Sequence, residues 1–268
     1  MVEPITTVGL GAIAAYLGKD GIAKILGPTT EYIGEGLKDL TKRRIDNVGK
    51  IFRSAEEKLG DDINEPGTIP PKVLNVVIND GSFNDDDLAL EYMGGVLASS
   101  RTKTGRDDRG ARISRTINNM SCYQLRAHYL IYSTISQLFK GSDYDFRREH
   151  RGRMEIFVPF SSFSKAMDFS EEEFLQSEML TSHIIFGLFS DSLIEKDFLF
   201  GDSNFIHPRY PQATESGAIC IPSVLGAELF MWAFGAGKKN LNHMFKNNFS
   251  AKMEDVPDFI ENSVAMRK

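Results

Sequence analysis

Apolar residues recur at helical spacing through most of the chain, and the interruptions fall at clusters of glycine, proline and short polar side chains. The densest stretch runs from Asn84 to Tyr132. Asn84 and the aspartates Asp85 to Asp87 form a helix start, because short polar side chains accept hydrogen bonds from unpaired amides and carboxylates suit the positive end of the helix dipole. Leu88, Tyr92 and Val96 follow, with Ala89, Met93 and Leu97 beside them, which predicts a buried helical face. Gly94 and Gly95 interrupt that face at about 1 kcal/mol each relative to alanine, so close approach of another backbone is expected there. Beyond Arg101, TKTGRDDRG reads as a charged loop bounded by Gly105 and Gly110. A second helical pattern then continues through Ile113, Ile117, Met120, Leu125, His128, Tyr129 and Tyr132.

Upstream, Ile5 to Leu17 is almost unbroken in its apolar and small residues, but falls short of the roughly 20 residues that span a bilayer as a helix. Its Gly9, Gly11, Leu17 and Gly18, with Gly21 beyond, suit close helix contact or docking on a membrane, against the plainer reading of a terminal helix folded onto the domain. Pro28, Thr29 and Thr30 open a helix that runs to Leu59, with a basic cluster at Lys38, Lys42, Arg43 and Arg44. Asp61 to Pro71 is a proline-broken connector, and Lys72 to Ile78 a short helix with Val73, Leu74, Val76 and Val77 inward.

After Phe139 the pattern changes. A polar, arginine-rich stretch from Gly141 to Arg153 precedes MEIFVPF, which alternates as a strand, with Pro159 favouring an edge or a strand end. Ser170 and Glu173 have capping-box spacing and open a helix continuing through Phe174, Met179, His183 and Leu188. Ser192 to Phe200 and Ser216 to Pro222 read as strands, and Val224 to Phe234 as a last core helix. The fold class expected is mainly α, a multi-helix domain with a small α+β C-terminal part whose order is compatible with a winged helix. The punctuation divides the chain into 1–60, a connector at 61–71, a helical core at 72–140, the α+β part at 141–237 and a tail at 238–268, disordered or docked on a partner.

GGVLASSRTKTGRDDRG followed by SCYQLRAHYLIY resembles the Abi-alpha family, the abortive infection alpha proteins of bacteria. The likeness extends to GPTTEYIGEGLKDLTKRRIDNVGKIF and, more loosely, to IPSVLGAELFMWA. It implies a phage-defence setting and brings with it no established reaction or catalytic residues.

Composition narrows the chemistry. The 268 residues carry a formal charge of −6, which argues against a dedicated nucleic-acid binder. Cys122 and Cys220 stand alone, so reduced, buried thiols are expected, and the start MVEPITT lacks the basic region of a secretory signal. The motifs GxSxG, HExxH, GxxxxGKS and GxGxxG after a strand are missing, and no cofactor is implied. Asp107 and Asp108, among Arg101, Arg106 and Arg109, are the candidate binding residues of the loop, as a surface touched by a phage component. The competing reading makes Asp107 and Asp108 the metal carboxylates of a nuclease. His128, in an apolar helix, reads first as a satisfied core histidine. The leading expectation is a cytoplasmic defence protein acting by interaction, as a homo-oligomer or peripherally at the inner membrane.

Overall fold

The structure, a computed structural model, describes residues 42–84 and 86–267. The small-residue segment with Gly9, Gly11, Leu17, Gly18 and Gly21, the expected helix start at Pro28, and Asp85 lie outside the described residues. The chain is mainly helical, with a small four-stranded antiparallel sheet in its C-terminal half. It divides into two compact units: the first ends at Asn119 and includes Met231–Lys238, and the second comprises Met120–Phe230 and Lys239–Lys268. Among the described residues no helix is long and apolar enough to cross a membrane.

In the first unit, α1 (Lys42–Leu59) buries Val48, Ile51, Phe52 and Ala55, the spacing of one helical face. A 3-10 turn, Gly60–Asn64, ends it, and Pro70 and Pro71 start α2 (Pro71–Asn79), where a missing amide costs nothing. The helix α3 (Asp87–Ser100) is capped by Asp86, whose carboxylate accepts from the Ala89 amide at 3.0 Å. Every residue of α3 from Leu88 to Ser100 except Glu91 is buried, more than the single face that its spacing predicts.

The glycine pair explains the difference. A Cβ on Gly94 would lie 2.2 Å from Ser54 Oγ and 2.8 Å from the Ile51 carbonyl oxygen; one on Gly95 would lie 1.7 Å from the Ala233 carbonyl oxygen. Two neighbours therefore close on α3 from different sides, which is the backbone approach expected of these glycines. Ser99 extends the second contact, donating to the Trp232 carbonyl at 3.1 Å and accepting from the Gly237 amide at 3.1 Å. The helix α4 (Arg109–Asn119) completes this unit.

The second helical pattern is not one helix. α4 stops at Asn119 and α5 (Cys122–Leu138) begins anew, because Ser121 and Gln124 form a capping box: Ser121 Oγ accepts from the Gln124 amide and Gln124 Oε1 accepts from the Ser121 amide. α5 is the central helix of the second unit. Tyr129 donates to the Ala251 carbonyl at 2.9 Å, Ser136 to that of Met244 at 2.5 Å, Arg126 to that of Ala166 at 3.0 Å, and Thr134 accepts from the Ile260 amide at 3.0 Å.

The rest of this unit is α6 (Arg148–Arg151), β1 (Ile156–Pro159), α7 (Phe160–Met167), α8 (Glu171–Leu175), α9 (Ser177–Ser190), β2 (Leu199–Gly201), α10 (Ser203–Ile206), β3 (Gly217–Cys220), the start of α11 (Val224–Ala233) and β4 (Val264–Ala265). The capping box at Ser170 is present, but its helix breaks at Gln176. The sheet order is β2-β3-β1-β4, with Phe157 opposite Ile219 on one side and Val264 on the other. β1 is therefore an inner strand with Pro159 at its end. The strand expected from Ser192 shrinks to three residues, preceded by a single bridge from Ile194 to Pro222. The tail supplies the fourth strand and so packs on the chain's own fold. Phe157, Ile206, Tyr210, Ala213, Ile219 and Met266 form a core cluster here. Cys220 is buried, whereas Cys122, in the exposed first turn of α5, is not.

Gly95→Ala is expected to destabilise the protein by about 3 kcal/mol, because a clash with backbone outweighs the roughly 1 kcal/mol that alanine gains in a helix. The urea midpoint reads this; a midpoint equal to the parent's would mean that α3 and Ala233 are not in contact.

Candidate interaction surface

Arg101, Asp107, Asp108 and Arg109 of the charged loop are held by partners in the fold. Arg101 is 6% exposed and donates to the carbonyls of Asp62, at 3.0 Å, Ile63, at 3.2 Å, and Glu65, while Lys238 donates to the carbonyl of Arg101 itself. Thr68 and Thr102 pair through both amides, and Gly105 turns the chain at a φ of +61°. Arg109 grips both oxygens of Asp107, at 2.9 and 2.7 Å, and stands 5.3 Å over the Trp232 ring. The hydrogen bonds from Arg109 hold the Asp107 carboxyl below its ordinary pKa. Asp108 pairs with Lys72 at 2.7 Å.

The loop thus brings Asp107 and Arg109 together, gives Asp108 to a lysine on α2, and spends Arg101 inside the fold; Arg106 is exposed. Among the described residues no group of three or more His, Cys, Asp or Glu side chains is placed to share a metal ion.

The histidines are equally dispersed. His128 is wholly buried on α5, its Nε2 3.0 Å from the Gly226 carbonyl oxygen, so that Nε2 carries the proton of a neutral ring. Burial lowers its pKa to about 3. Beside it the Tyr132 hydroxyl donates to the Leu193 carbonyl at 2.6 Å and accepts from the Ser223 amide at 3.0 Å. Ser223 in turn caps α11, accepting from the Gly226 amide at 2.9 Å. His128 and Tyr132 are fully buried and Ser223 nearly so, and their polar atoms are bonded to backbone groups of the fold or to one another. A cleft of about 290 Å³ between α5 and the segment 249–258 has charged lining of mixed sign, Lys140, Lys252 and Asp258, and its Ser133 and Ser136 hydroxyls are already donated to backbone carbonyls.

Among the described residues, several large apolar side chains are left exposed on α8 and α9. α9 buries Thr181, Ile184, Ile185 and Leu188, and turns Met179, Phe186 and Phe189 to solvent. On α8, Phe174 and Leu175 are also outside; Leu175 is 86% exposed, Met179 67%, Phe174 60% and Phe186 54%. Phe186 meets Phe198 edge-on at 5.8 Å and Phe200 at 5.6 Å; Phe189 meets Phe198 at 5.2 Å; Phe198 stacks on Phe200 at 6.2 Å. Phe205, 60% exposed, lies against Gly201 at the end of the same edge strand. Rings clustered together at the surface are what an interaction site looks like, since isolated domains seldom leave a continuous apolar patch in water.

The sequence held a signal for this face. Between Phe174 and Phe189, apolar residues outnumber what a one-sided helix of that length can bury, so part of them must remain outside. The chain matches no family model, no curated protein and no solved structure with which it was compared.

The buried imidazole gives a pH dependence of defined sign. The unfolded chain protonates His128 near 6.5, the fold only near 3, so the unfolded state binds the extra proton between them and stability falls as pH falls. Between pH 6.5 and 5 this group removes about 2 kcal/mol. Urea midpoints of the parent and His128→Gln, compared at pH 7 and pH 5, isolate it from the carboxylates; an identical pH slope in both would show that the ring reaches solvent.

Proposed function

We propose that this protein is a bacterial phage-defence factor of the abortive-infection type that acts by binding rather than by catalysis. The observation that carries the binding part is the exposed aromatic face of α8, α9 and the Phe198–Phe200 segment. The setting comes from the resemblance of GGVLASSRTKTGRDDRG and SCYQLRAHYLIY to the Abi-alpha proteins. The apolar run from Ile5 to Leu17 provides a means of acting at the inner membrane or on a second copy of the chain.

The test is a liquid-culture infection at low and high phage dose, reading growth and membrane potential. Cells carrying the parent are expected to survive the low dose and to stop early, with potential lost, at the high dose. The double variant Met179→Ser, Phe186→Ser should lose ten-fold or more of the plating protection while remaining folded. No protection by the parent against any of several unrelated phages would sink the defence reading, and full protection by the double variant would remove the aromatic face from it.

A further inference from the structure

The exposed face has a charge as well as a shape. From Ser170 to Asp191 the chain carries Glu171, Glu172, Glu173, Glu178 and Asp191 and not one lysine or arginine. Glu171, Glu172, Glu178 and Asp191 are exposed; where the aromatic cluster continues, the exposed Asp197 stands next to the exposed Lys196, so the acidic excess lies along α8 and α9. Glu173 accepts from Tyr123, and Glu195 is taken by Arg151 at 2.7 Å; among the described residues no such partner holds Glu171, Glu172 or Glu178. An apolar stripe bordered by carboxylates therefore faces water.

We infer that this face is the docking site for a cationic amphipathic helix of a protein partner. From Met179 to Phe189 the exposed apolar residues of α9 span about 15 Å, with Ser182 and the exposed His183 between Met179 and Phe186; this is the length over which a docked helix presents anchors at positions i, i+3 or i+4 and i+7. The Phe186, Phe198 and Phe200 rings, already packed together, receive apolar anchors at little entropic cost, while the acidic border attracts the partner's lysines and arginines. The border also discriminates. A second copy docking through the same face would set carboxylates against carboxylates, and the headgroups of an anionic membrane would meet the same repulsion.

The inference rests on reading this face as the binding surface, and its test uses purified full-length protein without phage, so it fails or stands apart from the defence reading. Two fluorescent peptides of about 18 residues, five helical turns, share one leucine face and differ only in carrying lysines or glutamates opposite. Anisotropy titration is expected to show the lysine peptide binding at least ten-fold more tightly than the glutamate peptide. Met179→Ser, at a largely exposed position, should weaken that binding five-fold or more with an unchanged thermal midpoint, and Phe186→Ser, which also gives up its contacts with Phe198 and Phe200, should do so while the protein remains folded. Glu178→Lys should weaken it while leaving the apolar surface intact. Equal affinity of parent and Met179→Ser for the lysine peptide would overturn the proposal. So would concentration-dependent dimerisation abolished by Phe186→Ser, which assigns the face to a second copy, or a stronger partition of the parent onto phosphatidylglycerol vesicles than onto the peptide.

Discussion

One phenol holds the second unit in register. Tyr132 sits on the central helix and is fully buried; its oxygen donates to the Leu193 carbonyl and accepts from the Ser223 amide. Burial raises its pKa, so it stays a neutral donor across the working range. Around it, Ser223 donates to the Ser192 carbonyl at 2.6 Å and Glu195 donates its amide to Ile221 at 3.0 Å. Three segments far apart in sequence thus meet at one oxygen: α5, the turn that ends α9, and the start of α11. Leaving a buried group of this kind unsatisfied costs about 1–3 kcal/mol, which is why Gly226, whose Cβ would lie 2.1 Å from that oxygen, has no side chain.

The surface follows from that buried point. Tyr132 holds the turn after α9 through the Leu193 carbonyl, and the chain beyond that turn brings Phe198 and Phe200 against Phe186 and Phe189. The aromatic face is then a consequence of packing on its other side: α9 has more apolar residues than its buried side accommodates, and the surplus is gathered rather than scattered. Gathering it concentrates the cost of exposure at one site, where a partner can relieve it.

Charge is handled in two ways. In the first unit Arg109 pairs with Asp107, Lys72 with Asp108 and Lys58 with Glu91, and the first two pairs brace the charged loop. In the second, the carboxylates of α8 and α9 are left to solvent beside apolar rings. Exposed pairs contribute at most about 1 kcal/mol each, so the first arrangement gives the loop its shape more than its stability. The second creates a field that favours positive partners at a distance of several ångströms.

Local chemistry was legible in the sequence. Asp86 capping α3, the box at Ser170, the stop at Asp61 to Pro71 and the close contacts at Gly94 and Gly95 follow from backbone hydrogen bonding and the absence of a side chain, and each is found. The break at Ser121 was equally local, a serine and glutamine three apart, but an apolar period running across it hid the signal. Other features were settled only in three dimensions. Whether Arg101 faces a ligand or three carbonyls, whether the tail floats or becomes a strand beside β1, and which apolar residues of α9 remain outside all depend on partners distant in the chain. Periodicity shows that a helix has an apolar face; how many sides its neighbours can cover is a matter of tertiary packing, and here that excess became the surface.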